Sequence, residues 1–139
     1  MRIMAVDLGD ARTGIALSDP TGTIAGKAWV IEEWNVELVE ESIVKTANEN
    51  DVGVIVIGWP KNMNDSRGER AKKCENFSKR IEKKTGLKVV LWDERRTTVD
   101  AHRILAENGR SSRDRKKIID AVAATIILEN YLNYIGHHL

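Results

Sequence analysis

The first eighteen residues contain two short apolar runs separated by a charged turn. Residues 2–8 and 13–18 each have the length and composition of a β-strand, and four residues including Gly9 join them. So short a connection favours an antiparallel hairpin. Asp7 lies in the first run, where an ionised carboxylate is costly unless it is paired or binds a metal. Asp7 is therefore either a turn residue that accepts hydrogen bonds from the amides of Gly9 and Asp10, or the first ligand of a site.

The next segments predict the rest of a sheet. Residues 19–22 have turn chemistry, and residues 24–31 complete a three-strand antiparallel meander. Residues 36–49 place apolar side chains at helical spacing after Asn35, a residue type that favours the N-cap position. The continuous apolar run 52–57 is typical of a strand buried on both faces of a parallel sheet.

The second half of the chain alternates helices and strands. Residues 66–69 form a capping box for a helix that Gly86 can end, and residues 87–92 predict a fifth strand. Two further helices are predicted over 99–107 and over 116–135. This order predicts an α/β fold. Its five-stranded mixed sheet has three antiparallel and two parallel strands, with helices on both faces.

The composition predicts a single globular domain over residues 1–139. The chain is 42% hydrophobic and 31% charged, which suits a folded, soluble protein. Its one cysteine, Cys74, excludes an intrachain disulfide and favours the cytoplasm. No run approaches the roughly 20 apolar residues of a membrane span. The early carboxylate Asp7 argues against a signal peptide.

Charge is distributed unevenly along the chain. Residues 1–50 hold 4 basic and 9 acidic residues, whereas residues 51–139 hold 18 basic and 12 acidic residues. The densest basic run, 110–117, contains five positive charges and one negative charge. Such a run is either a solvated loop or a binding surface for a polyanion such as nucleic acid.

Acidic residues are predicted to gather at one edge of the sheet. Asp7 lies on the first strand, Asp93 and Glu94 follow the last strand, and Asp120 lies in an apolar helix. Sites in open α/β sheets form outside the carboxyl ends of the strands. Carboxylates gathered there repel one another unless a cation neutralises them, and an all-oxygen ligand set selects Mg²⁺ or Mn²⁺. Two such ions can stabilise both the attacking and the leaving oxygen of a phosphoryl displacement.

Each of these acids also has a structural interpretation. Asp93 or Glu94 could cap the following helix or pair with a neighbouring arginine. Asp120 could pair with Lys116 or Lys117 one helical turn earlier. The same two lysines could instead hold a phosphate beside a carboxylate ligand.

The cysteine and the tryptophans are predicted mainly as packing residues. Cys74 lies on the apolar side of a helix, and Trp29, Trp34 and Trp92 suit the core or a sheet face. Trp59 lies in a loop at the predicted site, where an aromatic ring could pack in the core or stack on a base.

Four sequence blocks together resemble the YqgF/RuvX family, the RuvC-like Holliday junction resolvases. They occur in family order and span essentially the whole chain: Asp7-Leu-Gly-Asp-Ala-Arg12-Thr-Gly14-Ile-Ala16 with Ser18-Asp19, Gly58-Trp-Pro60-Lys-Asn62-Met63, Asp93-Glu94-Arg95-Arg-Thr97-Thr98 and Lys116-Lys-Ile-Ile-Asp120-Ala-Val-Ala123-Ala124. The first block alone also resembles sugar kinases and actin-like ATPases, whereas the combination is specific to this family.

The resemblance implies a ribonuclease H-like fold and a metal-dependent nuclease acting on structured nucleic acid. The implied reaction is 5′-end maturation of pre-16S rRNA. The alternatives are resolution of branched DNA junctions and a non-catalytic RNA-binding or ribosome-assembly role. By motif, the catalytic and metal-binding residues are Asp7, Glu94 and Asp120, with Mg²⁺ or Mn²⁺ as cofactor. By the same resemblance, Arg12, Asn62, Arg95 and Lys116 are the substrate-binding residues, and Lys117 beside Lys116 is predicted to bind the nucleic-acid backbone with them.

The resemblance also suggests partners and shows two departures. Expected partners are precursor rRNA or branched DNA and the ribosome, with no membrane, for a monomer or homodimer. The family loop that usually reads Gly-Leu-Pro-Leu-Asn-Met-Asp-Gly carries Trp59, Lys61, Asn64 and Asp65 here. RuvC-type resolvases also carry an acid where this chain has Gly58, so the second acid of this site would be Glu94 on the next strand.

Overall fold

The computed structural model describes residues 1–60, 68–93 and 112–137, with side chains for 119–136 in the last range. Five strands and three helices are described, here numbered in chain order: β1 Arg2–Asp7, β2 Arg12–Ser18, β3 Ala25–Glu32, α1 Val36–Glu49, β4 Val52–Trp59, α2 Gly68–Thr85, β5 Lys88–Asp93 and α3 Ser112–His137.

The five strands form one mixed sheet in the order β3-β2-β1-β4-β5. β1 pairs antiparallel with β2, and β2 pairs antiparallel with β3, which gives the predicted meander. β4 lies parallel to β1, and β5 lies parallel to β4. The prediction of three antiparallel and two parallel strands is therefore confirmed.

Side chains alternate between two hydrophobic cores, one on each face of the sheet. Met4 and Val6 on β1 pack on the face covered by α1 and α2. Ile3 and Ala5 pack on the opposite face, beneath α3. The prediction of helices on both faces is confirmed. By the same alternation Asp7, at the end of β1, lies on the α3 face.

Local chemistry sets several element boundaries as predicted. α1 begins where the Asn35 Oδ1 accepts a hydrogen bond from the Glu37 amide at 2.9 Å. α2 ends before Gly86, which adopts φ +70°, a conformation that glycine reaches without strain. In the β2–β3 turn, Asp19 accepts hydrogen bonds from the amides of Thr23 and Ile24.

Two sequence predictions are wrong. The last helix begins at Ser112 rather than near residue 116, so most of the basic run is helical. Lysine and arginine are good helix formers, which explains the extension. Trp34 was predicted to be a core or sheet-face residue, yet it is 77% exposed immediately before α1. Cys74 is buried as predicted, and the predicted helix 99–107 lies outside the described residues.

A buried carboxylate joins α1 to α2. The Glu40 side chain is 1% exposed and forms ion pairs with the Arg80 Nε and, at 2.7 Å, with the Lys84 Nζ. Burial raises the pKa of Glu40, but the hydrogen bonds and positive charges of Lys84 and Arg80 outweigh burial and hold the pKa below its ordinary value. Glu40 therefore stays ionised and links the two helices on the face of the sheet opposite α3.

Candidate active site

The carboxyl ends of three strands meet at one edge of the sheet. In the β1–β4 ladder Val6 is opposite Ile57, and in the β4–β5 ladder Trp59 is opposite Asp93. The last residue of β1, Asp7, therefore lies at the same edge as Asp93, with β4 between them. Two inter-strand spacings separate the β1 and β5 backbones by about 10 Å.

A glycine contact brings Asp120 close to Asp7. Asp7 is paired across the β1–β2 ladder with Gly14. A Cβ atom at Gly14 would lie 2.0 Å from the main-chain oxygen of Asp120. Only a residue without a side chain allows α3 to lie this close to β2. The structure thus brings these two predicted acids to adjacent positions on one face of the sheet.

Asp120 has one ion-pair partner among the described residues. The Arg12 Nε donates a hydrogen bond to its Oδ2 at 3.1 Å, and the side chains of Arg12 and Asp120 are 38% and 26% exposed. Burial raises the pKa of Asp120, while the charge and hydrogen bond of Arg12 and the charge of Arg70 lower it less. The net shift is upward. Among the described residues, the positive charges near Asp120 therefore do not offset its burial, and a further cation beside it would favour the ionised carboxylate.

Two described contacts show which partners the turn amide of Gly9 and the carboxylate of Asp120 have. The Gly9 amide donates a hydrogen bond to the Thr13 Oγ1 at 3.4 Å, so this turn amide has an acceptor other than Asp7. Asp120 pairs with Arg12, 108 positions away in sequence, rather than with a described residue of its own helix. The Arg12–Asp120 pair was not predicted, because a contact across that separation leaves no local pattern.

Strand alternation separates Asp93 from the two converging acids. Trp92 packs on the α3 face, whereas Val89 and Leu91 pack on the opposite face. Asp93 follows Trp92 and therefore belongs to the α1–α2 face. It shares an edge with Asp7 but not a face of the sheet.

The remaining predicted site residues cannot be placed by their side chains. Asn62, Glu94 and Arg95 lie outside the described residues. Lys116 and Lys117 are described as backbone in α3, one turn before Asp120. Within the described part of the chain, no three His, Cys, Asp or Glu side chains are grouped closely enough to hold a metal ion. Glu94, the third predicted ligand, lies outside that part of the chain.

Two cations near the site, Lys73 and Arg70 on α2, were not predicted from the sequence. The Lys73 Nζ donates to the Asp10 Oδ1 at 2.7 Å and connects α2 to the β1–β2 turn. The hydrogen bond and charge of Lys73, and more weakly the charge of Arg70, hold the pKa of Asp10 below its ordinary value. A signal for both cations was present. α2 follows a parallel strand, so its first turns lie close to the edge where that strand ends.

A family model described as "RuvX: Holliday junction resolvase" matches residues 1–134. The chain belongs to the RuvX family. A relative from Lachnospira eligens is 45% identical over 135 residues, which cover 95% of this chain and 96% of the relative. Another, from Carboxydothermus hydrogenoformans, is 42% identical over 134 residues, with 96% and 97% covered. Both are named "Putative pre-16S rRNA nuclease".

Solved structures share the fold of this RuvX-family chain. RuvC of Thermus thermophilus, solved with a Holliday junction substrate, superposes with a TM-score of 0.61 at 10% identity and covers 96% of each chain. The fowlpox virus resolvase, solved with Holliday junction DNA, has a TM-score of 0.55 at 18% identity over 97% of this chain and 99% of that chain. The predicted ribonuclease H-like fold is thereby confirmed.

Membership of the RuvX family also confirms the predicted class of protein. The family and the names of its members identify a hydrolase that acts on phosphodiester bonds and therefore binds nucleic acid. Of the helices that the structure describes, none combines the length and apolar character that crossing a bilayer requires.

Proposed function

We propose that this protein is a divalent-metal-dependent nuclease of the cytoplasm that matures the 5′ end of pre-16S rRNA. The observation that carries the proposal is the convergence of Asp7 and Asp120 on one face of the sheet, at the edge where the parallel strands end. Such an edge is where α/β proteins place their sites. The names of the relatives suggest the substrate, and the predicted ribosome partner follows from it.

The metal ligands in this proposal are Asp7, Glu94 and Asp120. The upward pKa shift of Asp120 supports this assignment, because a cation beside it would supply the missing positive charge. Asp93 is not assigned as a ligand, because strand alternation places it on the other face of the sheet from Asp7 and Asp120. Bound Mg²⁺ or Mn²⁺ would supply Lewis-acid stabilisation of the charge that develops on the phosphoryl oxygens.

Arg12 has two tasks in this proposal. Its Nε orients Asp120, and its remaining N–H groups can donate to a phosphate oxygen because a guanidinium carries five donors. We assign Asn62, Arg95, Lys116 and Lys117 to the substrate backbone as well. Contacts of this kind position nucleic acid without identifying its bases, so selectivity would come from the shape of the RNA or from the ribosome.

Cleavage of a labelled 5′ precursor fragment of 16S rRNA tests this function. We expect native protein to cleave the fragment in the presence of Mn²⁺, and we expect cleavage to stop when a chelator is added. Asp7→Asn should lower the rate by roughly 10³-fold or more, since it removes a charge on which the other groups depend. Glu41→Gln, which removes an exposed acid on α1, should match native protein. Cleavage by Asp7→Asn at the native rate, or unchanged cleavage in excess chelator, would contradict the proposal.

Junction resolution is the second candidate, because the description of the matching family names it. A resolvase nicks two strands symmetrically and therefore needs paired active sites. A four-way DNA junction assayed beside the rRNA fragment, with sedimentation to measure whether the chain is a monomer or a homodimer, separates the two functions. Symmetric nicks by a dimer favour resolution. RNA binding that survives loss of Asp7 and Asp120, with no product from native protein, favours a non-catalytic assembly factor.

A further inference from the structure

A cavity of about 350 Å³ opens between the β1–β2 turn and the first turns of α2. Its floor includes Leu8 and Gly9, the two residues that directly follow Asp7. It therefore adjoins the candidate active site on the side of α2, and the residues that α2 contributes to it lie outside the four sequence blocks. Its charged lining residues are Asp10, Glu69, Arg70 and Lys73.

The charges in this cavity are not equally available to a ligand. Lys73 and Asp10 neutralise each other at 2.7 Å. Arg70 is exposed and forms no hydrogen bond or ion pair with any residue that the structure describes. Glu69 is exposed beside it in the first turn of α2. The guanidinium of Arg70 is thus a cation available to an incoming anion, with one carboxylate nearby that opposes binding.

Arg70 also lies within electrostatic reach of the candidate active site. Its positive charge acts on Asp10 at the turn and on Asp120 on α3. Arg70 therefore lines the cavity and is also near enough to Asp10 and Asp120 for its charge to act on both. Because Leu8 and Gly9 in the cavity lining directly follow Asp7, a phosphate in the cavity would lie next to one held at Asp7.

We infer that this cavity is a second phosphate subsite, in which Arg70 binds a backbone phosphate adjacent to the scissile one. The inference rests on the proposed function, because it takes nucleic acid as the ligand. A guanidinium recognises phosphate through paired N–H donors. The volume lies within the roughly 300–1,000 Å³ of sites that hold small ligands, which is sufficient for one nucleotide unit. RNA and DNA share this phosphate chemistry.

Binding measured over a series of salt concentrations tests the subsite. All variants carry Asp7→Asn to prevent cleavage, and the probes are the labelled precursor rRNA fragment and a four-way DNA junction. Each phosphate contact adds about one unit to the slope of log affinity against log salt. We expect Arg70→Gln to lose about one unit of slope and to bind several-fold more weakly, whereas Glu69→Gln should bind more tightly. Lys79→Gln removes an exposed charge from the same helix, nine residues further on, and should change neither.

Equal slopes for Arg70→Gln and Lys79→Gln would overturn the subsite. Loss of slope with one probe only supports the subsite and shows whether RNA or DNA fills it. Cleavage by protein with native Asp7, measured on the same preparation, keeps the two proposals distinguishable. Cleavage without a change in slope leaves the nuclease function standing and removes the subsite. A change in slope without cleavage shows that Arg70 contacts a nucleic-acid phosphate, but it removes the nuclease function and with it the assignment to a position beside a scissile phosphate.

Discussion

Two carboxylates in this protein each bind an arginine, yet their pKa values shift in opposite directions. Glu40 lies between α1 and α2, is almost fully buried, and is paired with both Arg80 and Lys84. Its pKa is lowered. Asp120 lies at the edge of the sheet, is more exposed, and is paired with Arg12. Its pKa is raised, because burial of the carboxylate outweighs the charges near it.

The difference lies in how completely each charge is compensated. The charges and hydrogen bonds of Arg80 and Lys84 outweigh the desolvation of Glu40, so the fold itself keeps this carboxylate ionised. Arg12 does not outweigh the desolvation of Asp120, although Arg70 contributes from further away. Incomplete compensation at a sheet edge is typical of a functional carboxylate, whereas complete compensation between two helices is typical of a structural one. Four experiments can break or sharpen this contrast.

The largest expected effect is on cleavage. Asp120→Asn should reduce metal-dependent cleavage of the rRNA fragment by roughly 10³-fold or more, because it removes a proposed metal ligand. Glu40→Gln should cleave at close to the native rate once its lower stability is allowed for by assaying at low temperature. Circular dichroism confirms that each variant is folded. Equal losses of activity in the two variants would remove the distinction between a functional and a structural carboxylate.

The second experiment moves Asp120 without changing its charge. Gly14→Ala places a methyl group against the Asp120 carbonyl oxygen and forces α3 away from β2. We expect a loss of about 1–3 kcal/mol in the free energy of unfolding, and a loss of cleavage approaching 10²-fold from the displaced carboxylate. Gly53→Ala is the matched control, since the new methyl group meets the flexible Met1 side chain instead of backbone. If the two variants unfold and cleave alike, close packing at Gly14 does not position the site.

The third effect is on stability alone. Glu40→Gln leaves Arg80 and Lys84 without their shared partner, although both remain partly hydrated because their side chains are 44% and 43% exposed. We expect urea unfolding to show a loss of about 1–3 kcal/mol. Glu41→Gln changes the adjacent, exposed acid and should lie within about 0.5 kcal/mol of native protein. A loss that is equal in both variants would mean that the link between α1 and α2 contributes little.

The smallest expected effect is that the contributions of Glu40 and Asp120 to stability change in opposite directions with pH. The pKa of Glu40 is lowered by folding, so its contribution is complete above its ordinary pKa of about 4.3 and is lost as the pH falls through the lowered value. The pKa of Asp120 is raised, so ionisation of Asp120 costs stability as the pH rises above about 3.9.

Urea unfolding in chelator, at neutral and at acidic pH, measures that difference. The deficit of Glu40→Gln should vanish at acidic pH. Asp120→Asn should be more stable than native protein at neutral pH and equal to it at acidic pH. Parallel pH profiles for the two variants would show that the opposite pKa shifts do not carry over to stability.

Most of the fold could be predicted because its signals are local. Alternating apolar runs, the Asn35 cap and the turn after Ser18 each lie within a few residues of the element they define. The start of α3 was missed because a basic run can be a solvated loop or a helix, and only packing decides between them. The exposure of Trp34 was missed for a related reason, since the burial of an apolar residue depends on its tertiary neighbours.

The candidate site, like the fold, contains some residues that the sequence predicts and others that it does not. Asp7 and Asp120 could be proposed from family blocks and from the rule that sites lie at strand ends. The compensation of Glu40 could not, because it depends on how two helices distant in sequence face each other. Arg70 was missed although its place in the first turn of the helix after β4 was a signal. The first turns of a helix that follows a parallel strand can therefore supply site residues, as the loop between the strand and the helix can.

The distance along the chain between Arg12 and Asp120 has a consequence for biosynthesis. The ribosome synthesises the strands and the first two helices before α3, so β1 and β2 can pair while Asp120 is still absent. Domains fold as their residues become available during translation, and contacts between distant residues form late. A nascent chain that holds Asp7 and Arg12 therefore lacks the partner that completes their site. An enzyme that cuts nucleic acid would in this way be assembled beside the ribosomal RNA but acquire its acidic centre only when its last described helix docks.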